Sequence, residues 1–103
     1  MRLNDLIEGM PIPPAYADAR VTGFAIDSRK VAPGTIFGAF RGLRENGEDY
    51  IEQAVAAGAI AIVARPEAKV KGAFHIADAA PRRAFAHAAA RFFAPFPLSL
   101  IHI

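Results

Sequence analysis

Asp27, Ser28 and Arg29 stand together where an apolar run from Val21 to Ile26 gives out, and they offer a carboxylate, a hydroxyl and a guanidinium fork within three positions. A serine beside an aspartate invites a nucleophilic reading. That chemistry needs a base within hydrogen-bond reach, and the three histidines, His75, His87 and His102, share no motif with Ser28. Two readings remain for the trio: satisfying backbone groups at a strand end, or contacting a ligand. A second polar stretch, from Gly42 to Gly47, lies at the end of the next apolar run, where glycines let a backbone approach a ligand closely. Gly42 and Gly47 have the spacing of a phosphate loop, but Glu48-Asp49 stand where the lysine and hydroxyl residue of an ATP loop belong, so ATP is not expected there. Asn46-Gly47 also reads as a hairpin turn. The spacing of His75 and His87 fits no metal motif, and Arg82-Arg83 reads as a solvated helix start with phosphate contact as a lesser alternative. No catalytic group and no metal site are expected in the chain.

The elements that must position these loops follow from periodicity. Leu3, Leu6 and Ile7 predict a short amphipathic helix ending near Gly9 and lying as a lid on one edge. Pro11, Pro13 and Pro14 predict an irregular connection through Arg20. Val21 to Ile26 predicts a strand whose central Gly23 suits close approach of another backbone. Val31-Ala32-Pro33-Gly34 is a turn signal, and a second strand is expected from Thr35 to Arg41. Tyr50, Ile51, Ala54 and Val55 mark a helix stopped by Gly58, with Glu48 and Asp49 at its start. Ala59 to Ala64 is short and continuously apolar, as in a buried strand. A loop from Glu67 to Gly72 precedes a strand at Ala73 to Ile76. A last helix is expected from Pro81, capped by Asp78 or Ala80, through Phe85, Ala88, Ala89, Phe92 and Phe93, ending before Pro95. The order implies an α/β fold: a small mixed, partly parallel sheet with flanking helices.

Composition narrows the class. With 103 residues there is room for one core, and its 53% hydrophobic content is carried by alanine, so that core should be thin. Twelve Lys and Arg against ten Asp and Glu are scattered rather than striped, which argues against a nucleic-acid partner. The absence of cysteine excludes disulfides and thiolate metal sites. The N-terminus lacks a signal-peptide pattern and no run approaches the ~20 apolar residues of a membrane span, so a cytoplasmic location is expected.

The run Gly23-Phe24-Ala25-Ile26-Asp27-Ser28-Arg29-Lys30-Val31-Ala32-Pro33-Gly34-Thr35-Ile36-Phe37, then Gly42 with Asn46-Gly47, Tyr50-Ile51-x-x-Ala54 and Gly58-Ala59-x-Ala61-x-Val63, resembles the N-terminal domain of the Mur ligases. Pro81-Arg82-Arg83-Ala84-x-Ala86 and Ala90-Arg91-Phe92-Phe93 are similar to that family's closing helix. The resemblance covers Leu3 to Pro97 and is nearest the branch that adds the third amino acid, diaminopimelate in the expected type, to UDP-N-acetylmuramoyl-L-alanyl-D-glutamate in peptidoglycan synthesis. It implies that residues 1–97 bind the UDP end of this precursor. Ile26, Ser28, Leu43, Arg44 and Glu45 would contact the UDP moiety, supported by Asp27, Arg29, Gly42, Asn46 and Gly47. ATP and magnesium would belong to further domains of a longer parent, where the precursor carboxylate is activated as an acyl phosphate. This stretch alone would bind weakly and be inactive. Asn46 departs from the family's aspartate, and residues 98–103, Leu-Ser-Leu-Ile-His-Ile, depart from the strand expected before an ATP loop and read as a non-native tail. The sister ligase that adds D-alanyl-D-alanine, and a free-standing nucleotide-binding or interaction module, are the alternatives.

Overall fold

The computed structural model describes residues 2–7, 12–40 and 47–92. Four strands, β1 (Gly23–Ala25), β2 (Thr35–Gly38), β3 (Ala61–Ala64) and β4 (Phe74–Ala77), form one sheet in the order β1-β2-β3-β4. The α/β class is as expected, and the sheet goes beyond the partly parallel arrangement: all three pairings are parallel, with Phe24 opposite Ile36, Phe37 opposite Ile62 and Ile62 opposite His75. Among the described residues the antiparallel pairing is the bridge between Arg2 and Arg20. A sheet of parallel strands delivers all its carboxyl ends, and hence the loops after β1, β2, β3 and β4, to one edge.

Two of the parallel connections are unusually short for crossovers, nine residues each at 26–34 and 65–73. The first is folded by a 3-10 turn at Ser28–Lys30 and a tight turn at Pro33-Gly34. Gly34 sits at φ +90°, and a Cβ there would lie 2.7 Å from the Thr22 side chain and 2.9 Å from the Arg20 carbonyl oxygen. The Thr22 hydroxyl donates to the Pro33 carbonyl at 2.7 Å, so the turn that leads into β2 is stitched to the residue just before β1. Between β2 and β3 the chain passes through a 3-10 turn, Gly47–Tyr50, and helix α3 (Ile51–Ala56), which stops before Gly58 as the sequence suggests.

Alternation along β2 and β3 divides the core between the two sheet faces. Ile36, Ala61 and Val63 face one side, with Leu3 and Leu6 of α1 (Leu3–Leu6) and Ala88 of α4 (Pro81–Phe92). Phe37, Ile62 and Ala64 face the other, with Ile51 and Ala54 of α3. The large side chains that are wholly enclosed are Phe37, Leu3, Ile36, Ile62 and Val63, and alanine fills most of the remaining core positions, as the composition foretold. Arg91 of α4 reaches the carbonyl of Asp5 at 3.2 Å, tying α4 to α1.

Three local expectations are corrected. The proline-rich connection contains a short helix, α2 (Pro14–Ala17): Pro14 takes the first helical position, where its missing N–H costs nothing, and the amides of Tyr16 and Ala17 bond the Pro13 carbonyl. Gly23 does not admit a neighbouring backbone, because a Cβ there would meet nothing within 4 Å. Helix α1 is not a lid on an edge but part of one core face, with Leu3 fully buried and its amide bonded to the Ala19 carbonyl at 2.8 Å. Strand β2 ends at Gly38, and the expected end at Arg41 lies outside the described residues, as do Gly9, Phe93 and the expected helix stop before Pro95.

Candidate functional site

The loop after β1 is organised by Asp27. One carboxylate oxygen accepts the Arg29 amide at 2.9 Å and its Nε at 3.1 Å, and the other accepts an Arg29 Nη at 2.9 Å. The aspartate thus caps the 3-10 turn and holds the guanidinium at once. The Arg29 side-chain bonds, then its amide, hold the Asp27 carboxyl at a pKa of about 2, below its ordinary 3.8. Anion and fork, which the sequence offers as separate ligand groups, are spent largely on each other. Ser28 is drawn inward to 8% exposure, while Ile26 stands 63% exposed, the conspicuous large apolar side chain left at the surface among the described residues.

These residues line a cavity of about 510 Å³ at the carboxyl edge of the sheet. Ile26, Asp27, Ser28 and Arg29 form one wall, and Gly47, Tyr50 and Gln53 another, with Gly38, Phe40 and Arg82 closing it. Its dimensions and its mixture of an exposed apolar side chain, aromatic rings and a few polar groups suit a small polar ligand with a flat ring. Of the expected site residues, Ile26, Asp27, Ser28, Arg29 and Gly47 are brought together, and Gly42, Leu43, Arg44, Glu45 and Asn46 lie outside the described residues.

The base of that second loop is nevertheless fixed. The Gly47 amide donates to the Phe40 carbonyl at 2.7 Å, and a Cβ on Gly47 would lie 2.7 Å from the Phe40 amide nitrogen. Close backbone approach at this glycine is what the sequence suggests. Glu48 accepts two bonds from Arg65, at 2.6 and 3.2 Å, and the Glu48 bonds push the Arg65 pKa upward. The acid that would repel a phosphate is therefore neutralised by its partner.

The sequence profile described as Mur ligase family, catalytic domain, matches residues 20–92, the span that holds all four strands, both carboxyl-edge loops and helix α4. The chain belongs to the Mur ligase family. Its relatives include three proteins named UDP-N-acetylmuramoyl-L-alanyl-D-glutamate--2,6-diaminopimelate ligase. The one from Zymomonas mobilis is 58% identical over 93% of this chain and 20% of its own length. That from Bradyrhizobium diazoefficiens is 48% identical over 97% of this chain and 21% of its own length. The Mesorhizobium japonicum protein is 37% identical over the whole of this chain and 22% of its own length. The chain thus spans about a fifth of the length of these Mur ligases.

Within this Mur ligase fold, Ser28 has no histidine on its loop: His75 bonds the Arg65 carbonyl at 3.1 Å, and His87 lines a different cavity between α1 and α4. No group of three or more His, Cys, Asp or Glu side chains converges among the described residues. The lining residues that sequence reasoning passed over are Phe40, Tyr50 and Gln53, and Arg82 reads from sequence first as a solvated helix start, with phosphate contact only as the lesser alternative. The available signal was the spacing of Arg82 and Phe85 at i and i+3, which puts a guanidinium and a ring on one face of α4. Gly38 could be interpreted only with the fold in hand. A Cβ there would lie 2.6 Å from the tip of Phe40 and 2.9 Å from Phe85, so its lack of a side chain is what lets Phe40 fold across the end of β2.

Proposed function

We propose that this chain is the UDP-precursor-binding, N-terminal domain of an ATP-dependent ligase that adds diaminopimelate to UDP-N-acetylmuramoyl-L-alanyl-D-glutamate in peptidoglycan synthesis. The observation that carries the reading is the cavity at the carboxyl edge of the sheet, which gathers Ile26, Ser28 and Gly47 in a chain similar to three ligases named for that reaction. Ile26 offers an apolar surface to the face of a uracil ring. The Ser28 hydroxyl, at the cavity wall, can both donate and accept at the edge of the base or at ribose. Leu43, Arg44 and Glu45 are proposed to complete the site from the loop whose base is pinned by Phe40, Gly47 and the Arg65–Glu48 pair.

The domain's contribution to the reaction is to hold the nucleotide end so that the distant peptide carboxylate is delivered to chemistry in other domains. ATP and magnesium find no support in the residues after Gly47: Glu48-Asp49 stand where an ATP loop requires lysine, and Glu48 is committed to Arg65. We assign both to the other domains of the parent, along with amide formation. No described helix is long and apolar enough to cross a membrane, and a cytoplasmic location follows from the proposed nucleotide substrate. The relatives' names favour this reading over the D-alanyl-D-alanine branch.

Nucleotide selectivity tests the assignment. Amide spectra of the chain titrated with UDP should shift at residues 26–29 and 47–53, ADP should shift them much less, and Ser28→Ala should weaken UDP about threefold to tenfold, the value of one hydrogen bond. Equal response to ADP and UDP would contradict a uridine site.

A further inference from the structure

We infer that Arg82 is a diphosphate-binding residue of the same site, seated on Phe40 to meet the nucleotide's charged linkage; this rests on the uridine-nucleotide reading above. The cavity has two cations among its described lining residues, Arg29 and Arg82. Arg29 is turned onto Asp27 through both carboxylate oxygens, so its fork faces its own loop. Arg82 comes from the opposite side, at the start of α4. It lines this cavity and also an adjacent one of about 500 Å³ bounded by Ala39, Glu48, Arg65 and Pro81, with Phe40 shared between the two. A ligand whose ring end lies against Ile26 and Ser28 and whose remainder leads toward the second cavity passes Arg82 between them. A diphosphate linking a nucleoside to a larger group occupies just that place in a molecule.

The seat is built from the sequence. The Arg82 guanidinium carbon lies 4.9 Å from the centroid of the Phe40 ring, and Phe40 meets Phe85 edge to face at 5.4 Å and 87°. Arg82 and Phe85 share a helix face, so both touch one ring. Gly38 makes the room for that ring. A guanidinium resting on an aromatic face uses its π surface for that contact and forms hydrogen bonds through its edge, the geometry that bidentate phosphate binding needs. Lysine keeps the charge but neither the plane nor the fork.

The test separates the diphosphate from the nucleoside. Dissociation constants of the chain for uridine and for UDP are measured by NMR titration at low salt in wild type, Arg82→Ala, Arg82→Lys and Arg83→Ala. Arg82→Ala is expected to reduce the UDP advantage over uridine roughly tenfold while uridine affinity holds, and Arg82→Lys to restore part of it. Arg83 follows directly in sequence and lines the adjacent cavity but not the uridine one, so it would face what lies beyond the diphosphate, and its alanine variant should keep the wild-type ratio of UDP to uridine. An unchanged ratio in Arg82→Ala, parallel weakening of both ligands, or an equal loss in Arg83→Ala would overturn the assignment of Arg82 while leaving the uridine site standing. A wild-type chain that binds neither uridine nor UDP would overturn both.

Discussion

Arg65, one residue past the end of β3, holds both carboxylate oxygens of Glu48, one residue into the 3-10 turn after the second loop, at 2.6 and 3.2 Å. Seventeen positions separate them, and Glu48 is 12% exposed where Arg65 is 36%. A pair this enclosed on one side is less screened than a surface bridge and fixes a loop end against the sheet. With the Gly47 amide on the Phe40 carbonyl, it clamps the base of the segment that the resemblance assigns to UDP contact. Glu48→Gln should therefore loosen the site without unfolding the sheet. Amide exchange at residues 47–50 is expected to accelerate about tenfold, with exchange in β3 unchanged. Uniform acceleration throughout the chain would show that the pair supports the whole fold rather than the loop.

Asp27 supplies a pH dependence of known sign. Its carboxyl has a folded-state pKa of about 2 against an ordinary 3.8, so the contribution is complete above about pH 4 and is lost as pH falls through 2. Because the group is solvent-accessible, salt should diminish the effect. An NMR titration following the Asp27 side chain should give a midpoint near 2 in wild type and an upward shift in Arg29→Ala. A midpoint that stays put in the variant would remove Arg29 as the cause.

The core is thin, so its few large side chains carry an outsized share of stability. Ile62 is fully buried in the middle of β3, between Phe37 and His75 in the sheet register. Ile62→Ala is expected to cost about 2–5 kcal/mol, a large part of the ~5–15 kcal/mol available to a domain of this kind. Urea unfolding should show a reduced midpoint with the slope retained. A cost below about 1 kcal/mol would mean that the site collapses around the cavity far more freely than close packing allows.

Gly38→Ala is the complementary change, adding one methyl where there is no room. The new Cβ would lie 2.6 Å from Phe40 and 2.9 Å from Phe85, so a ring must move at a cost of about 1–3 kcal/mol. Loss of the ring-current shifts that Phe40 imposes on Phe85 would report the displacement, and the UDP advantage over uridine should fall with it. Retained shifts would indicate that the backbone of β2 yields instead.

Much of the architecture was legible because this chain punctuates itself clearly. Pro33-Gly34, Gly58 and Pro81 mark the turn, helix stop and helix start where the structure has them, and the short apolar run from Ala59 to Ala64, read as a buried strand from its length, holds β3 at Ala61–Ala64. Pro14 misled because proline breaks a helix interior but opens a helix readily, and sequence alone does not say which position it takes. Gly23 misled because the glycine that matters for packing on these strands is Gly38, and it matters through Phe40 and Phe85, the latter 47 positions away. The β1 loop could be found from residue types, but the internal pairing of Asp27 with Arg29 and the arrival of Arg82 from α4 depend on the parallel sheet that brings the loops to one edge.

The most direct test of the central claim is an NMR titration of the chain with UDP-N-acetylmuramoyl-L-alanyl-D-glutamate, beside the same titration of Ser28→Ala. Shifts concentrated at Ile26, Asp27, Ser28, Arg29, Gly47 and Arg82, and several-fold weaker in the variant, are the result expected. A folded spectrum that does not respond, or that responds instead at Leu6, Ala84 and His87 around the cavity between α1 and α4, would contradict it.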